Sequence, residues 1–193
     1  VVKEGKPVSR ILIEKDNSVD NQAALLLQDF VQRISGASLP VLTDKSPRKG
    51  DIVIGGKDTS GLTEYGFRLK TDNGIVYISS GGDKGNIYGA VTLLEDYLGV
   101  AYYSADAYRL EKRSTVVIPE LDRAENPAFR YRQSQCYALR EDPVYKLWFR
   151  FEEPSEVFAG GMWVHTFDRI LSSDVYGESH PEYYSFINGE RRP

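Results

Sequence analysis

Apolar and polar positions alternate along this chain with two different periods, and the changes of period mark its elements. In "SRILIEK", Ser9 to Lys15, Ile11 and Ile13 fall on one side of a pleat and Leu12 on the other, which predicts a strand. "NSVDNQAALLLQDFVQRISG" then shifts to helical spacing, with Ala23, Leu27, Phe30, Val31 and Ile34 on one stripe. Asn17 or Ser18 caps its start, and Gly36 stands where a left-handed C-cap belongs. "LPVLTD" and "DIVIGG" predict two short strands separated by the turn-forming "KSPRKG". "GFRLKTDNGIVYISS" predicts a hairpin, because Phe67, Leu69 and Thr71 alternate before Asp72-Asn73-Gly74, and Val76 and Ile78 alternate after it. A second helix is expected from about Gly85 to Leu98, with Ile87, Val91, Leu94 and Leu98 on one face and Gly99 ending it. "VAYY" and "STVVIP" supply two further extended segments.

Up to about Pro119 the pattern predicts an α+β layer, two helices packed on a mixed or antiparallel sheet. "ELDRAENP" is short and polar and ends in Pro127, so residues 121–127 read as a linker. Beyond it "AFRYRQSQCYA" predicts a strand, and "DPVYKLWFRF" a short helix with Asp142 as N-cap and Pro143 at its first position. "GGMWVHTF" predicts another strand. Strand, helix and strand make the first βαβ unit of something larger. A β/α barrel takes about 250 residues, so the expectation is a barrel begun here and incomplete within this stretch. The expected division is 1–120, a linker 121–127, and 128–193.

Composition narrows the partners. The 193 residues carry a net charge of -4, which argues against nucleic acid as the main partner. No run approaches the ~18 apolar residues of a membrane span. The first residues, "VVKEGKPVSR", include neither an initiator Met nor an apolar leader core, so the expectation is an exported protein, periplasmic or extracellular, whose signal peptide has been removed. The single Cys136 allows no internal disulfide; in its expected strand it reads as a buried, inert thiol. Aromatic residues reach 12%, with thirteen tyrosines. That excess fits either contact with sugar rings or a β-rich core with amphipathic edges.

Candidate chemistry is sparse. "GGDKGNIYGA" lacks the lysine and hydroxyl of a phosphate-binding P-loop, and its glycines read as a turn and a close approach of helix to sheet. His165 and His180 stand fifteen apart with no H-E-x-x-H, a poor basis for a metal site; His165 reads either as a buried structural histidine or as a donor to a substrate hydroxyl. No pair among Glu152, Glu153, Glu156, Asp168, Asp174, Glu178 and Glu182 is singled out for glycoside hydrolysis, and Glu152-Glu153 read as a solvent-facing helix end. No cofactor is called for.

Three stretches together carry a family resemblance. "GNIYGAVTLLEDYLGVAYYSAD" resembles the helix and following strand of the small N-terminal domain that precedes the catalytic barrel in family 20 β-hexosaminidases and family 67 α-glucuronidases. Gly85, Tyr88, Gly89, Leu93, Leu94, Leu98 and Gly99 carry the match. "NPAFRYR" resembles the entry to the first barrel strand, and "HPEYYSFINGERRP" is similar to a segment of a Bacteroides-type domain of unknown function 4838. The resemblance implies a non-catalytic accessory domain, a zincin-like layer without the zinc motif, followed by the start of a glycosidase-like barrel. It implies Arg132 as a ligand of sugar hydroxyls, although "QSQCY" follows where the family has a Gly and later an Asp. Trp163 would offer a ring face and His165 a hydrogen bond at the mouth of the barrel. The family's catalytic acids fall on a later strand, so no catalytic residue is assigned here. The implied partners are a carbohydrate, the rest of the parent chain, and a second copy if a barrel edge is left open. The alternative is a free-standing carbohydrate-binding or adhesion module.

Overall fold

Short strands that are apolar and buried at every residue, Ile11–Ile13 and Ile52–Ile54, build the centre of the first unit. The computed structural model describes residues 1–14, 16–82, 84–137 and 141–192, and it divides into two units, Val1–Glu152 and Glu153–Pro193. Lys15, Asp83, Ala138 and Pro193, each part of a stretch read above, lie outside the described residues.

In the first unit the elements run β1 (Val2–Lys3), β2 (Lys6–Pro7), β3 (Ile11–Ile13), α1 (Ser18–Ser35), β4 (Val41–Thr43), β5 (Ile52–Ile54), β6 (Phe67–Asp72), β7 (Ile75–Ser80), α2 (Gly85–Thr92), β8 (Ala101–Ser104), β9 (Ala107–Arg109), β10 (Asp122–Glu125) and α3 (Pro143–Trp148). Six strands form one mixed sheet in the order β10-β6-β7-β5-β3-β4. β4, β3, β5 and β7 pair in parallel, while β6 and β10 join antiparallel. The α+β layer expected from the pattern is therefore present, with its central pairings parallel.

The core follows from the periodicities. Every residue of the predicted α1 stripe is buried. Asn17 caps the helix through its side-chain oxygen, which accepts from the backbone N–H of Val19 at 3.0 Å and of Asp20 at 2.8 Å. Gly36 closes it at φ 78°. α2 is buried on all sides, packed against α1, α3, β6 and β7. A Cβ at Gly89 would sit 2.6 Å from Ile78 Cγ2, so only glycine lets the helix lie this close to the sheet. Asn73 and Gly74 turn the hairpin with φ of 49° and 75°.

Some segments differ from expectation for identifiable reasons. The α-helix of α2 ends at Thr92 and continues as a π-helical turn, Leu93–Tyr97, in which the Leu98 N–H donates to Leu93 O at 3.1 Å. The wider turn keeps Leu93, Leu94 and Leu98 all in the core. Within the 121–127 stretch read as a linker, Asp122–Glu125 is the edge strand β10, with Arg123 opposite Leu69 and Glu125 opposite Phe67. Its charges suit an edge, where they discourage further pairing, and they form ion pairs from Arg123 to Asp96 and to Glu125. Among the described residues "STVVIP" forms only a bridge, Val116 to Val2, and "AFRYRQSQCYA" pairs only through a bridge, Arg132 to Glu152.

Residues 142–152 pack into the first unit through Trp148, which is 1% exposed. Its ring lies 5.2 Å from that of Phe30 and 5.4 Å from that of Tyr102. Asp142 caps α3 as expected, accepting from the N–H of Val144 and Tyr145, and also accepts from the Tyr102 hydroxyl at 2.7 Å.

The second unit is built of short pieces: 3-10 turns Ser155–Val157 and Ala159–Gly161, α4 (Phe167–Ile170), α5 (Ser173–Tyr176), a 3-10 turn Pro181–Tyr183, and a hairpin of β11 (Ser185–Ile187) and β12 (Glu190–Arg192). Tyr184 is its buried centre, donating from its hydroxyl to Ser172 O at 3.0 Å and to Leu171 O at 3.3 Å. The strand expected in "GGMWVHTF" is not formed: Ala159–Gly161 is a 3-10 turn and α4 begins at Phe167. A parallel strand needs a neighbour to take its hydrogen bonds, and none pairs here among the described residues.

Candidate functional site

α2 and the Arg132–Glu152 bridge bring a set of polar side chains together in the first unit. Glu152, read from sequence as solvent-facing, is instead 5% exposed. Its chain position explains this: the backbone of Arg132 and Glu152 exchange two hydrogen bonds, of 2.7 and 2.9 Å, and this turns the side chain inward. One carboxylate oxygen accepts from the Tyr88 hydroxyl and the other from Lys84 Nζ at 2.7 Å. Burial, and then the Glu152 carboxylate, push the Tyr88 phenol far above its ordinary value of 10, so it stays a neutral donor.

Arg132 belongs to this cluster. Its Nε donates to Arg150 O at 2.6 Å and its Nη1 to Phe129 O, while the guanidinium lies 5.3 Å from the Tyr65 ring centre and 5.9 Å from that of Tyr88. Nη2 is buried with no hydrogen-bond partner among the described residues. Arg150 reaches the other way, donating to the Thr92 hydroxyl at 2.8 Å and pairing with Glu95, which also accepts from Trp148 Nε1. The cluster therefore ties Trp148, Arg150 and Glu152 to α2 and the turns at its two ends.

Trp163 and His165 lie in the second unit, in the bend that precedes α4. Trp163 is 38% exposed, so a ring face is available. His165 is exposed, not buried, and sits at φ 53°, in the left-handed region that histidine tolerates better than most residues. His180 stacks on Tyr183 with ring centres 4.7 Å apart and places Nδ1 3.1 Å from Glu182 Oε1. The Glu182 carboxyl is held below its usual range, first by its own backbone N–H and then by His180. Cys136 is exposed rather than buried, because its expected strand is not formed. Among the described residues no three His, Cys, Asp or Glu side chains converge as metal ligands.

Glu152 carried no signal in the sequence. Asp20 did: it falls three residues before Ala23 and seven before Leu27, on the apolar stripe of α1, and a carboxylate there must be buried. The glycines of "GGDKGNIYGA" are explained by packing, since a Cβ at Gly82 would meet Glu64 O at 2.4 Å and one at Gly85 would meet Gly66 O at 2.2 Å.

The first unit is an α+β layer in which helices accompany a mixed six-stranded sheet. Two stretches of the chain match known family models. Residues 7–96 match the model of glycosyl hydrolase family 20, domain 2, and residues 102–193 match that of a domain of unknown function, DUF4838. No curated protein matches the chain. Among solved structures, the Streptomyces plicatus N-acetyl-β-hexosaminidase, in complex with Thio-NAglucal, aligns with a TM-score of 0.46 and 16% identity over 64% of this chain and 23% of its own. The GH20 exo-β-N-acetylglucosaminidase of Vibrio harveyi, in complex with N-acetylglucosamine, aligns at 0.44 and 24% identity over 64% of this chain and 16% of its own. A family GH115 4-O-methyl-α-glucuronidase aligns at 0.44 and 17% identity over 65% and 18% of the two chains. The chain thus spans less than a quarter of these enzymes. No described helix is long and apolar enough to cross a membrane.

Proposed function

We propose that this chain is part of an exported carbohydrate-active enzyme of the glycoside hydrolase kind. Residues 1–120 act as a non-catalytic accessory layer, and residues 128–193 open a β/α barrel that further chain completes. The observation that carries this reading is the match of residues 7–96 to the hydrolase accessory-domain model, adjoining the match of residues 102–193 to a second domain. Exposed apolar side chains in the second unit support it: Phe167 is 84% exposed, and Val164, Ile170, Val175 and Phe186 are also open. Such a surface is ordinarily covered by partner chain. Arg132 is the residue we assign to a sugar hydroxyl, its Nη2 having no hydrogen-bond partner among the described residues. Trp163 would pack on a ring face and His165 would supply a further hydrogen bond.

The test compares residues 1–193 with the full product of the same gene on a panel of aryl glycosides that includes N-acetyl-β-glucosaminides. The expected result is turnover by the full product and none by 1–193. Turnover by 1–193 itself, abolished by a single carboxylate substitution, would overturn the reading. Saturable oligosaccharide binding by 1–193 that Trp163→Ala removes, with no turnover by the full product, would favour a binding module instead.

A further inference from the structure

A cleft in the accessory layer, remote in sequence from Arg132, has the build of a second site. β3, β5 and β7 run parallel, and their carboxyl ends open at Glu14, Gly55 and Ser80 onto a cavity of about 470 Å³. In open sheets with parallel strands, ligands settle in this crevice, and pockets of ~300–1,000 Å³ suit small molecules. α1 and α2 both begin at its wall.

The polar groups there are mostly acceptors. Asp20 is 5% exposed; one carboxylate oxygen accepts from Asn86 Nδ2 at 2.6 Å and the other from Asn17 Nδ2 at 2.7 Å, so each keeps a lone pair. Asn86 is 6% exposed and donates its amide hydrogen to Asp20, while its Oδ1 is buried with no partner among the described residues. An acceptor left without a hydrogen costs ~1–3 kcal/mol. The buried carboxylate holds the amide in that orientation, which leaves Oδ1 able to accept from a donor outside the protein.

The lining excludes most ligand classes. An anion is disfavoured, because Asp20 already occupies the positive end of α1 and Glu14 adds a second negative charge. No metal-ligating trio is present among the described residues. Among the described residues no large apolar side chain lines the cleft to hold a greasy molecule. The acceptors suit a ligand rich in hydrogen-bond donors, and Lys57 and Thr59 on the exposed rim can donate back to the oxygens of a hydroxylated one.

We propose that this cleft is a sugar-binding subsite that takes one neutral pyranose unit, vicinal hydroxyls donating to Asn86 Oδ1 and to the Asp20 carboxylate. The choice of a hydroxylated ligand over an ammonium donor, and of a sugar among polyols, rests on the carbohydrate-active reading above; the cleft and its acceptors do not. The accessory layer then holds a glycan strand as well as supporting the barrel.

The experiment is an amide-resolved NMR titration of this chain with N-acetylglucosamine, galactose and glucose, and with glycerol as a non-sugar polyol. The expected result is saturable shifts for at least one sugar, confined to Gly55, Gly56, Gly82 and Asn86, with a Kd of about 0.1–10 mM. Asn86→Leu should weaken binding at least about tenfold. Because Asn86 is buried and its variant can fail to fold, Lys57→Met on the rim is the second variant; it should weaken binding about threefold with the rest of the spectrum unchanged. No saturable shift with any sugar up to about 100 mM, or an equal response to glycerol, overturns the proposal. Glycoside turnover by the full gene product is read separately, so failure of this subsite is distinguishable from failure of the carbohydrate-active reading.

Discussion

The two units of this protein are held together in different ways. In Val1–Glu152 the strands β3 and β5 are buried on both faces, α2 is buried all round, and the carboxylates that enter the interior, Asp20, Asp51 and Glu152, each have hydrogen-bonded partners. In Glu153–Pro193 the helices are single turns, one tyrosine is buried, and large apolar side chains face outward. Both stretches contain ordinary proportions of apolar residues. What separates them is whether sheet neighbours and a facing helix are at hand, so periodicity becomes structure only where a second layer can cover it.

That contrast can be attacked directly. Trp148→Ala removes the ring that packs against Phe30 and Tyr102, and should cost the first unit about 3–5 kcal/mol in urea denaturation; a loss near zero would separate residues 142–152 from the layer. Gly89→Val forces a side chain against Ile78 and should cost about 1–3 kcal/mol by overpacking, read as a drop in Tm.

Alkali should act on the first unit through its buried phenols. Tyr88 and Tyr102 are both raised from their ordinary value of 10, chiefly by burial and then by Glu152 and Asp142 respectively. A raised folded value means the stabilisation is fully present below pH 10 and declines above it, as the unfolded tyrosine ionises while the folded one does not. Stability measured from pH 8 upward should therefore fall beyond 10, and Tyr88→Phe should flatten that fall. An unchanged slope in the variant would contradict the raised value of Tyr88.

Smaller effects sharpen the same comparison. Asn17→Ala removes the α1 cap and should cost about 1 kcal/mol. Phe167→Ser, at an exposed site of the second unit, should change the stability of this chain by less than about 0.5 kcal/mol. A larger loss there would show that the second unit has a core of its own.

The sequence announced the first unit because its elements carry their own punctuation. Asn17 and Gly36 bracket α1, Asn73-Gly74 turns the hairpin, and Asp142-Pro143 starts α3; each is a local steric or hydrogen-bonding signal. β10 was hidden because an edge strand exposes one face and can be almost wholly charged, as "DRAE" is. The π-helical turn was hidden because Leu93, Leu94 and Leu98 satisfy a helical stripe equally well in either helix type. Glu152 was illegible for a different reason: its burial depends on pairing with Arg132, twenty residues earlier, and on Lys84 and Tyr88 much farther back. Arg132, Trp163 and His165 were named through resemblance, and the side-chain partners of Arg132 emerge only from the fold.

The most direct measurement is amide hydrogen exchange on residues 1–193. The account predicts that amides of β3, β5, β7 and α2 exchange at least about 10⁴-fold more slowly than free peptide, while those of 163–176 stay within about 10²-fold of it. Protection of 163–176 equal to that of α2 would contradict it, because the second unit would then be a finished structure rather than a surface awaiting its cover.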